Sequence, residues 1–532
     1  MQKRIIILFL ILSISLCAMS LRILSVDAGD YAKTASYSNS KSILITESRG
    51  TIYDCNLEPI VNTQDEYAIA VKPTARGLDS VSEYVGSERL SLLRDELSKG
   101  NPGLVRVPGE VSSGKDIKVV AYKRRYADRQ YATHLIGYLD TEGQGVTGLE
   151  KSYNAYLSEN TGALRAAFYV DARGRNLSGA DIDILDDGYS TQRGVVLSID
   201  LKIQKAIEDA IDQYAWNSGC AVAMNPNTGE IKAMVSRPDY NQYNISESMK
   251  AKNSPLVNKA LEAYSVGSTF KVIVSAAALE EDMAYEDSMY TCTGVTKAGN
   301  QDFSCYEKTV HGEISMQDAL THSCNTYFID IARKLGATKI VDTAGKLGFG
   351  KKFVLADGIV SKSGNLPLAT EFDSPASVAN LGFGQGKLLA TPLQLATAYS
   401  AVANGGIYVE PWLFKGYIDD SGNFSQNYNT GNKKRVLTPS TCSRLRTLLT
   451  VSVEENAKAK PEKVTAAGKT ATAQTGQYIG GKEIYHSWFA GWYPAENPEL
   501  VIVIMKERGN TGSSDCAPVF KNIVDSLTTH SN

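Results

Sequence analysis

The sequence predicts a multidomain α/β protein behind a single N-terminal transmembrane helix, and three observations carry that prediction. A chain of 532 residues exceeds what one hydrophobic core covers. An uncharged apolar run from Ile5 to Leu21 follows the basic start Met-Gln-Lys-Arg. After residue 190, strand-like segments at both ends enclose helix-like ones, the pattern of a sheet that unites distant parts of the chain.

The apolar run is closed by Arg22 and extended by Ile23 and Leu24. Residues 5–24 are therefore read as a membrane anchor after a cytoplasmic tail of residues 1–4, where Lys3 and Arg4 hold the start inside. Everything beyond is then extracytoplasmic. A cleaved signal peptide is the competing reading, but the run is long for its apolar core and no small-x-small site follows. A lipoprotein reading of Cys17 fails on the bulky Leu16 before it.

Residues 25–190 mix short β-like runs, "KSILITESRGTIYD" and "YAIAVKP", with a candidate helix "SERLSLLRDELSK". The polar, Gly-containing stretch 175–194 reads as a connection between domains. From residue 191 to 532 the texture changes. "GVVLSID" runs into a helix with apolar positions Ile203, Ala206, Ile207, Ala210, Ile211 and Tyr214. "CAVAMN" and "EIKAMVS" flank the turn "PNTG" as a hairpin, and "HSWFAGWYP" and "ELVIVIMK" are two further strands.

Composition narrows the function. With 55 basic against 58 acidic residues the chain has no electrostatic footprint for nucleic acid. Of the eight cysteines Cys17 falls inside the span and the others outside the cytoplasm, where disulfides are permitted; Cys292 with Cys305, bracketing a Gly-bearing loop, is the expected pair, two unpaired thiols being the alternative. No Cys or His cluster has zinc-ligand spacing, and the histidines at 134, 311, 322, 486 and 530 form no H-x-x-x-H. No metal and no cofactor are expected.

Three short motifs carry chemistry. Ser268 and Lys271 open an apolar, Ala-rich helix one turn apart, where a lysine with a depressed pKa serves as base to a serine nucleophile. A helix N-terminus depresses that pKa and presents N–H groups to an oxyanion. The plain alternative is an N-cap serine, yet a cation in the first turn opposes the helix dipole. Ser-x-x-Lys also occurs at Ser38/Lys41 and Ser112/Lys115, without such a helix. Ser323 and Asn325 precede an amphipathic helix carrying Phe328, Ile331, Ala332 and Leu335, so a hydroxyl and an amide stand together at a bend. Capping again explains them equally well, and Ser-x-Asn recurs at Ser152/Asn154 and Ser421/Asn423. Lys469 and Thr470 lie in the strand-like "VTAAGKTATAQTGQ", where a cation beside the hydroxyls of Thr470 and Thr472 suits a carboxylate. A phosphate loop fails because its first glycine would fall at Lys463, and "GFGQG" is a poor dinucleotide fingerprint.

Taken together and in this order, Ser-x-x-Lys, Ser-x-Asn and Lys-Thr-Ala resemble the signature of the penicillin-binding protein and serine β-lactamase superfamily. "RGTIYD", "HLIGYL", "GVTGLEKSYNAYL", "GFGQGKLLATPLQLA" and "HSWFAGWYPAENP" look like its class B monofunctional branch, so the resemblance covers nearly all of the chain after residue 48. It implies a transpeptidase fold with a helix-flanked antiparallel sheet over 191–532 and a β-rich pedestal over 25–190. It further implies a peptidoglycan D,D-transpeptidase that cross-links stem peptides and is acylated by β-lactams. Ser268 would be the nucleophile, Lys271 its base, Ser323 a proton shuttle, Asn325 a substrate ligand and Lys469 part of the network. Thr470 and Thr472 would hold the donor carboxylate. Ala471 departs from the family's usual glycine; its methyl either crowds the ligand or turns away, and activity is expected to survive. The class B likeness implies a SEDS-family glycan polymerase as partner. A D,D-carboxypeptidase, a β-lactamase and a non-turnover scaffold or β-lactam sensor are the alternatives.

Overall fold

The computed structural model describes residues 2–27, 40–159, 162–171, 173–177, 179–189, 191–283, 288–426 and 431–529. Ser38, residue 190 and His530 lie outside them. The chain forms two compact units, one of residues 1–50, 62–127 and 158–192, the other of 51–61, 128–157 and 193–532. The division is not the contiguous one expected at 190/191, because two earlier segments belong to the second unit. Thr51–Tyr53 is a parallel strand on Gly194–Leu197, and the Ala132 amide donates to the buried Glu208 carboxylate at 2.7 Å. Such short, long-range pairings leave no local pattern.

In the first unit, helix Gln2–Asp27 contains a 19-residue apolar stretch, Arg4–Arg22, none of it buried. At about 1.5 Å per residue it reaches roughly 28 Å, long and apolar enough to cross a membrane. Two three-stranded antiparallel sheets follow: Ala163–Tyr169 lies between Ser40–Glu47 and Ile182–Asp186, and Gln64–Val71 between Gly103–Val107 and Ile117–Arg124. Strand Ile182–Asp186 occupies a stretch whose polarity reads as a connection. The expected helix, Ser87–Ser98, buries Leu93 and Leu97 against Ile69, Val71 and Val105.

The second unit is built on a five-stranded antiparallel sheet in the order Ile231–Arg237, Gly219–Met224, Leu500–Gly509, Lys482–Tyr493, Ala467–Ile479. Gly219–Met224 is buried at every residue, which an antiparallel strand tolerates only when both faces are covered. Helices Leu201–Gln213 and Ala517–Thr529 cover one face, packing Ile207, Ile211, Phe520 and Ile523 against Ala221, Ala223, Ile502 and Phe489. Asp200 caps the first of these by accepting from the Lys202 and Ile203 amides. Tyr214, expected on its apolar face, stands exposed just past its end. Helix Pro392–Ala403 is wholly buried, packed against strands of the same sheet, and Lys271–Glu280 is buried over all but its last residue. The second unit is thus an antiparallel sheet flanked by helices, within a mixed α/β chain.

Candidate active site

Residues Gly267–Phe270 form a 3₁₀ turn that continues directly into helix Lys271–Glu280, so Ser268 sits in the turn and Lys271 is the first residue of the α-helix. Three hydrogen bonds hold the turn. The Gly267 amide donates to Gly384 O at 3.1 Å, Tyr399 Oη donates to Thr269 O at 3.0 Å, and Trp488 Nε1 donates to Ser265 O at 3.0 Å. Gly267 itself, at φ +54°, lies so close to the sheet-edge strand that an added Cβ would stand 3.1 Å from Ala473. That approach brings Ser268 beside the strand bearing Lys469, segments two hundred positions apart in sequence.

Gly384 belongs to the "GFGQG" segment and has φ +73°; a Cβ there would overlap the Gly267 carbonyl. Only glycine supplies that conformation and that closeness together. The sequence therefore contains a support for the Ser268 turn that reads, as a motif, like a failed dinucleotide loop.

Lys271 is fully buried, and its ammonium has three donors. Nζ donates to Ser323 O at 2.7 Å, to Asn325 Oδ1 at 2.7 Å and to Ser323 Oγ at 3.2 Å, and it lies 5.5 Å from the Phe328 ring centroid. Burial, and then the nearby Lys469 charge, hold its pKa well below the usual lysine range. Ser323 adopts φ +54°, the left-handed region that costs a non-glycine residue about 1 to 3 kcal/mol, and this turn is what aims its hydroxyl and carbonyl at Lys271. Cys324 caps helix Asn325–Leu335 by accepting from the Tyr327 amide, while Phe328, Ile331, Ala332 and Leu335 are buried as their spacing demands.

Lys469 is 2% exposed, donates to Thr470 O at 3.0 Å, and is pushed down to about 7 by burial. It lies inside strand Ala467–Ile479, not in a loop before a helix, which removes any phosphate-loop geometry. Thr470 and Thr472 are half-buried, and the Thr472 hydroxyl accepts from the Gly512 amide at 3.3 Å. Ala471 is 4% exposed and shares its strand face with Ala473, so its methyl is packed away from solvent. This strand pairs on one side only, leaving its outer edge next to Ser268. A cleft of about 530 Å³ lined by Ser323, Lys469, Thr470, Asn456 and Lys458 opens alongside.

The structure thus brings all three motifs into one place. Tyr399 and Gly384 were not singled out by sequence; a glycine-rich stretch without strand and helix in dinucleotide positions was the available signal for the second, and nothing marked the first. Cys292 and Cys305 are free thiols, their sulfurs 3.7 Å apart, rather than the expected disulfide.

Residues 219–525 match the family model "Penicillin binding protein transpeptidase domain". The chain is 30% identical over 426 residues to "Stage V sporulation protein D" of Bacillus subtilis, across 76% of this chain and 64% of that protein. It is 28% identical to the "Probable peptidoglycan D,D-transpeptidase PbpC" of Pseudomonas aeruginosa, across 95% of this chain and 91% of the relative. Among solved structures it is similar to the D,D-transpeptidase domain of a peptidoglycan glycosyltransferase from Eggerthella lenta, with TM-score 0.65, 25% identity and coverage of 90% and 98%. Penicillin binding protein 3 of Mycobacterium tuberculosis in complex with aztreonam shares the fold at TM-score 0.66 and 22% identity, covering 92% of this chain and 97% of that one.

Proposed function

The chain belongs to the penicillin-binding protein transpeptidase family, and on that premise we propose that it is a peptidoglycan D,D-transpeptidase working through a Ser268 acyl-enzyme. The observation that carries the reading is the Lys271 amine, buried behind the Ser268 turn and hydrogen-bonded to both Ser323 and Asn325.

Lys271, its pKa lowered by burial and then by the Lys469 charge, takes in its unprotonated form the Ser268 hydroxyl proton as the oxygen attacks the penultimate D-Ala carbonyl. Backbone N–H groups of Ser268 and Thr472 receive the oxyanion. The donor peptide lies along the open edge of the Ala467–Ile479 strand, pairing with its backbone. Thr470 and Thr472 hold its terminal carboxylate, and the Asn325 amide binds its backbone. Ser323, in contact with the Lys271 amine, passes the proton to the departing D-Ala nitrogen, which leaves an ester on Ser268. An amine of a neighbouring stem peptide attacks that ester, gives its proton back through the same groups and frees the serine. β-Lactams enter the same first step and stop at the ester.

The N-terminal helix anchors the chain, with Lys3 and Arg4 inside and the chain beyond that helix outside the membrane. That helix and the first unit are the surfaces for a SEDS-family polymerase. Relatives named for sporulation and for peptidoglycan transpeptidation support a cell-wall role.

Intact-mass analysis after penicillin treatment should show one adduct on the wild type and none on Ser268→Ala. If the wild type gains no mass, or the variant gains the same mass, Ser268 is not the nucleophile. Exchange of a D-amino acid into a stem peptide then separates transpeptidation from hydrolysis or from a non-turnover sensor: release of D-Ala without exchange would identify a carboxypeptidase.

A further inference from the structure

Four metal-ligand side chains meet just behind the Ser323 loop, and we propose that Cys292, Cys305, His311 and Cys324 bind one zinc ion in a closed tetrahedral site. Their ligand atoms all lie within 4.8 Å of one another. Cys292 Sγ and Cys305 Sγ are 3.7 Å apart, Cys305 Sγ and Cys324 Sγ 3.7 Å, and Cys292 Sγ and His311 Nδ1 3.3 Å. A tetrahedron with Zn–S of about 2.3 Å and Zn–N of about 2.0 Å has S···S edges of about 3.8 Å and S···N edges of about 3.5 Å. The observed separations are those edges to within a few tenths of an ångström.

The set is chemically selective. Three thiolates and one imidazole suit zinc over the oxygen-seeking calcium and magnesium, and four protein ligands leave no open position for water. All three cysteines are buried, and His311 is half-buried. Donors already face the sulfurs: Thr326 Oγ1 donates to Cys292 Sγ at 3.1 Å, the Gly294 amide to the same sulfur at 3.4 Å, and the Tyr327 amide to Cys324 Sγ at 3.5 Å. Such donors stabilise coordinated thiolates.

The ligands come from four separate segments, which is why spacing along the chain hides them. Cys292 ends strand Tyr290–Cys292, His311 precedes its partner Gly312–Ile314, Cys305 follows the hairpin of Val295–Ala298 and Gln301–Ser304, and Cys324 opens the Asn325 helix. Two-stranded ribbons of three and four residues are marginal alone, and a metal that ties both to a helix end fixes them. Cys324 is the residue between Ser323 and Asn325, so the same ion fastens the strained Ser323 backbone from behind.

The test measures metal, not acylation, so it stands apart from the transpeptidase reading. The full chain, purified in detergent without added metal, should carry about one zinc by elemental mass spectrometry, and a thiol-specific mercurial should release it. Cobalt substituted for that zinc should give thiolate-to-cobalt charge-transfer absorption and intense tetrahedral ligand-field bands. Cys305→Ser and Cys324→Ser should each lose the zinc, while Cys55→Ser, outside the cluster, keeps it. Because mercurial release and cobalt spectra use the wild type, misfolding of a variant cannot decide the outcome. A wild-type chain that neither carries nor takes up zinc or cobalt overturns the proposal. So does a disulfide among these three cysteines, or zinc retained by both cluster variants.

Discussion

Lys469→Met should make the second unit more stable and the enzyme slower. The native ammonium is buried and pushed down to about 7, whereas an unfolded lysine titrates near 10.4. Between those values the unfolded chain binds more protons than the folded one, so native stability rises with pH through that window and is lowest at neutral pH and below. At about 1.4 kcal/mol per pKa unit, with the native group half-ionised at pH 7, the burden is roughly 4 kcal/mol. Methionine fills a similar volume with no charge, and it forfeits the hydrogen bond to Thr470 O, worth about 1 kcal/mol. The net gain is about 3 kcal/mol at pH 7, or about 6 °C in melting temperature at roughly 2 °C per kcal/mol. It should fade as pH approaches 10. Thermal unfolding of the full chain and variant at about pH 6.5, 8 and 9.5 reads the difference directly. A variant no more stable than the wild type at the lowest pH, or one whose advantage does not shrink on raising the pH, would refute the argument.

The same substitution should move the pH profile of acylation. In the proposed mechanism Lys271 works as a base when unprotonated, and the Lys469 charge helps hold its pKa down, so Lys469→Met should shift the rising limb of penicillin acylation to higher pH while Lys469→Arg leaves it near the wild-type position; a limb that stays put in both variants would remove Lys469 from the coupling. Gly384→Ala forces a side chain into a left-handed backbone and onto the Gly267 carbonyl, and should cost about 2 to 4 kcal/mol with loss of fluorescent-penicillin labelling, measured by urea titration and gel. Gly386→Ala, also at positive φ but with nothing nearer than 3.3 Å, should cost less than half as much. Phe520→Ala, in the core between helix and sheet, should lower stability by about 3 to 5 kcal/mol while the folded fraction labels at the wild-type rate.

Much of this architecture is legible in the residues. The runs "CAVAMN", "EIKAMVS", "HSWFAGWYP" and "ELVIVIMK" announce strands because burial on both faces forces continuous apolar character, and all four are neighbours in the central sheet. The Ser323 and Asn325 segment precedes its helix because Phe328, Ile331, Ala332 and Leu335 recur at helical spacing. What resists reading is what depends on partners far away in sequence. Strand Thr51–Tyr53 has only three residues and takes its identity from Gly194–Leu197. Cys292, Cys305, His311 and Cys324 make sense only once four segments converge. Gly384 shows its purpose only against the Gly267 carbonyl.

The costly local choices in this chain are concentrated where the chemistry is. A lysine opens the Lys271–Glu280 helix against its dipole, a second lysine is buried nearby, and Ser323 holds a left-handed backbone. Each lowers stability, and none has a packing benefit that an apolar residue or a glycine would not supply better. Each also does something specific to a proton: the helix terminus and the second cation favour a neutral Lys271, and the bend at Ser323 keeps a hydroxyl 3.2 Å from its amine. A chain selected only to fold would shed all three. Their coexistence in one region of the second unit, where a buried amine meets a strained hydroxyl, is what the proposed catalytic site requires. It also explains why removing the buried charge at 469 should improve the fold as it slows the reaction.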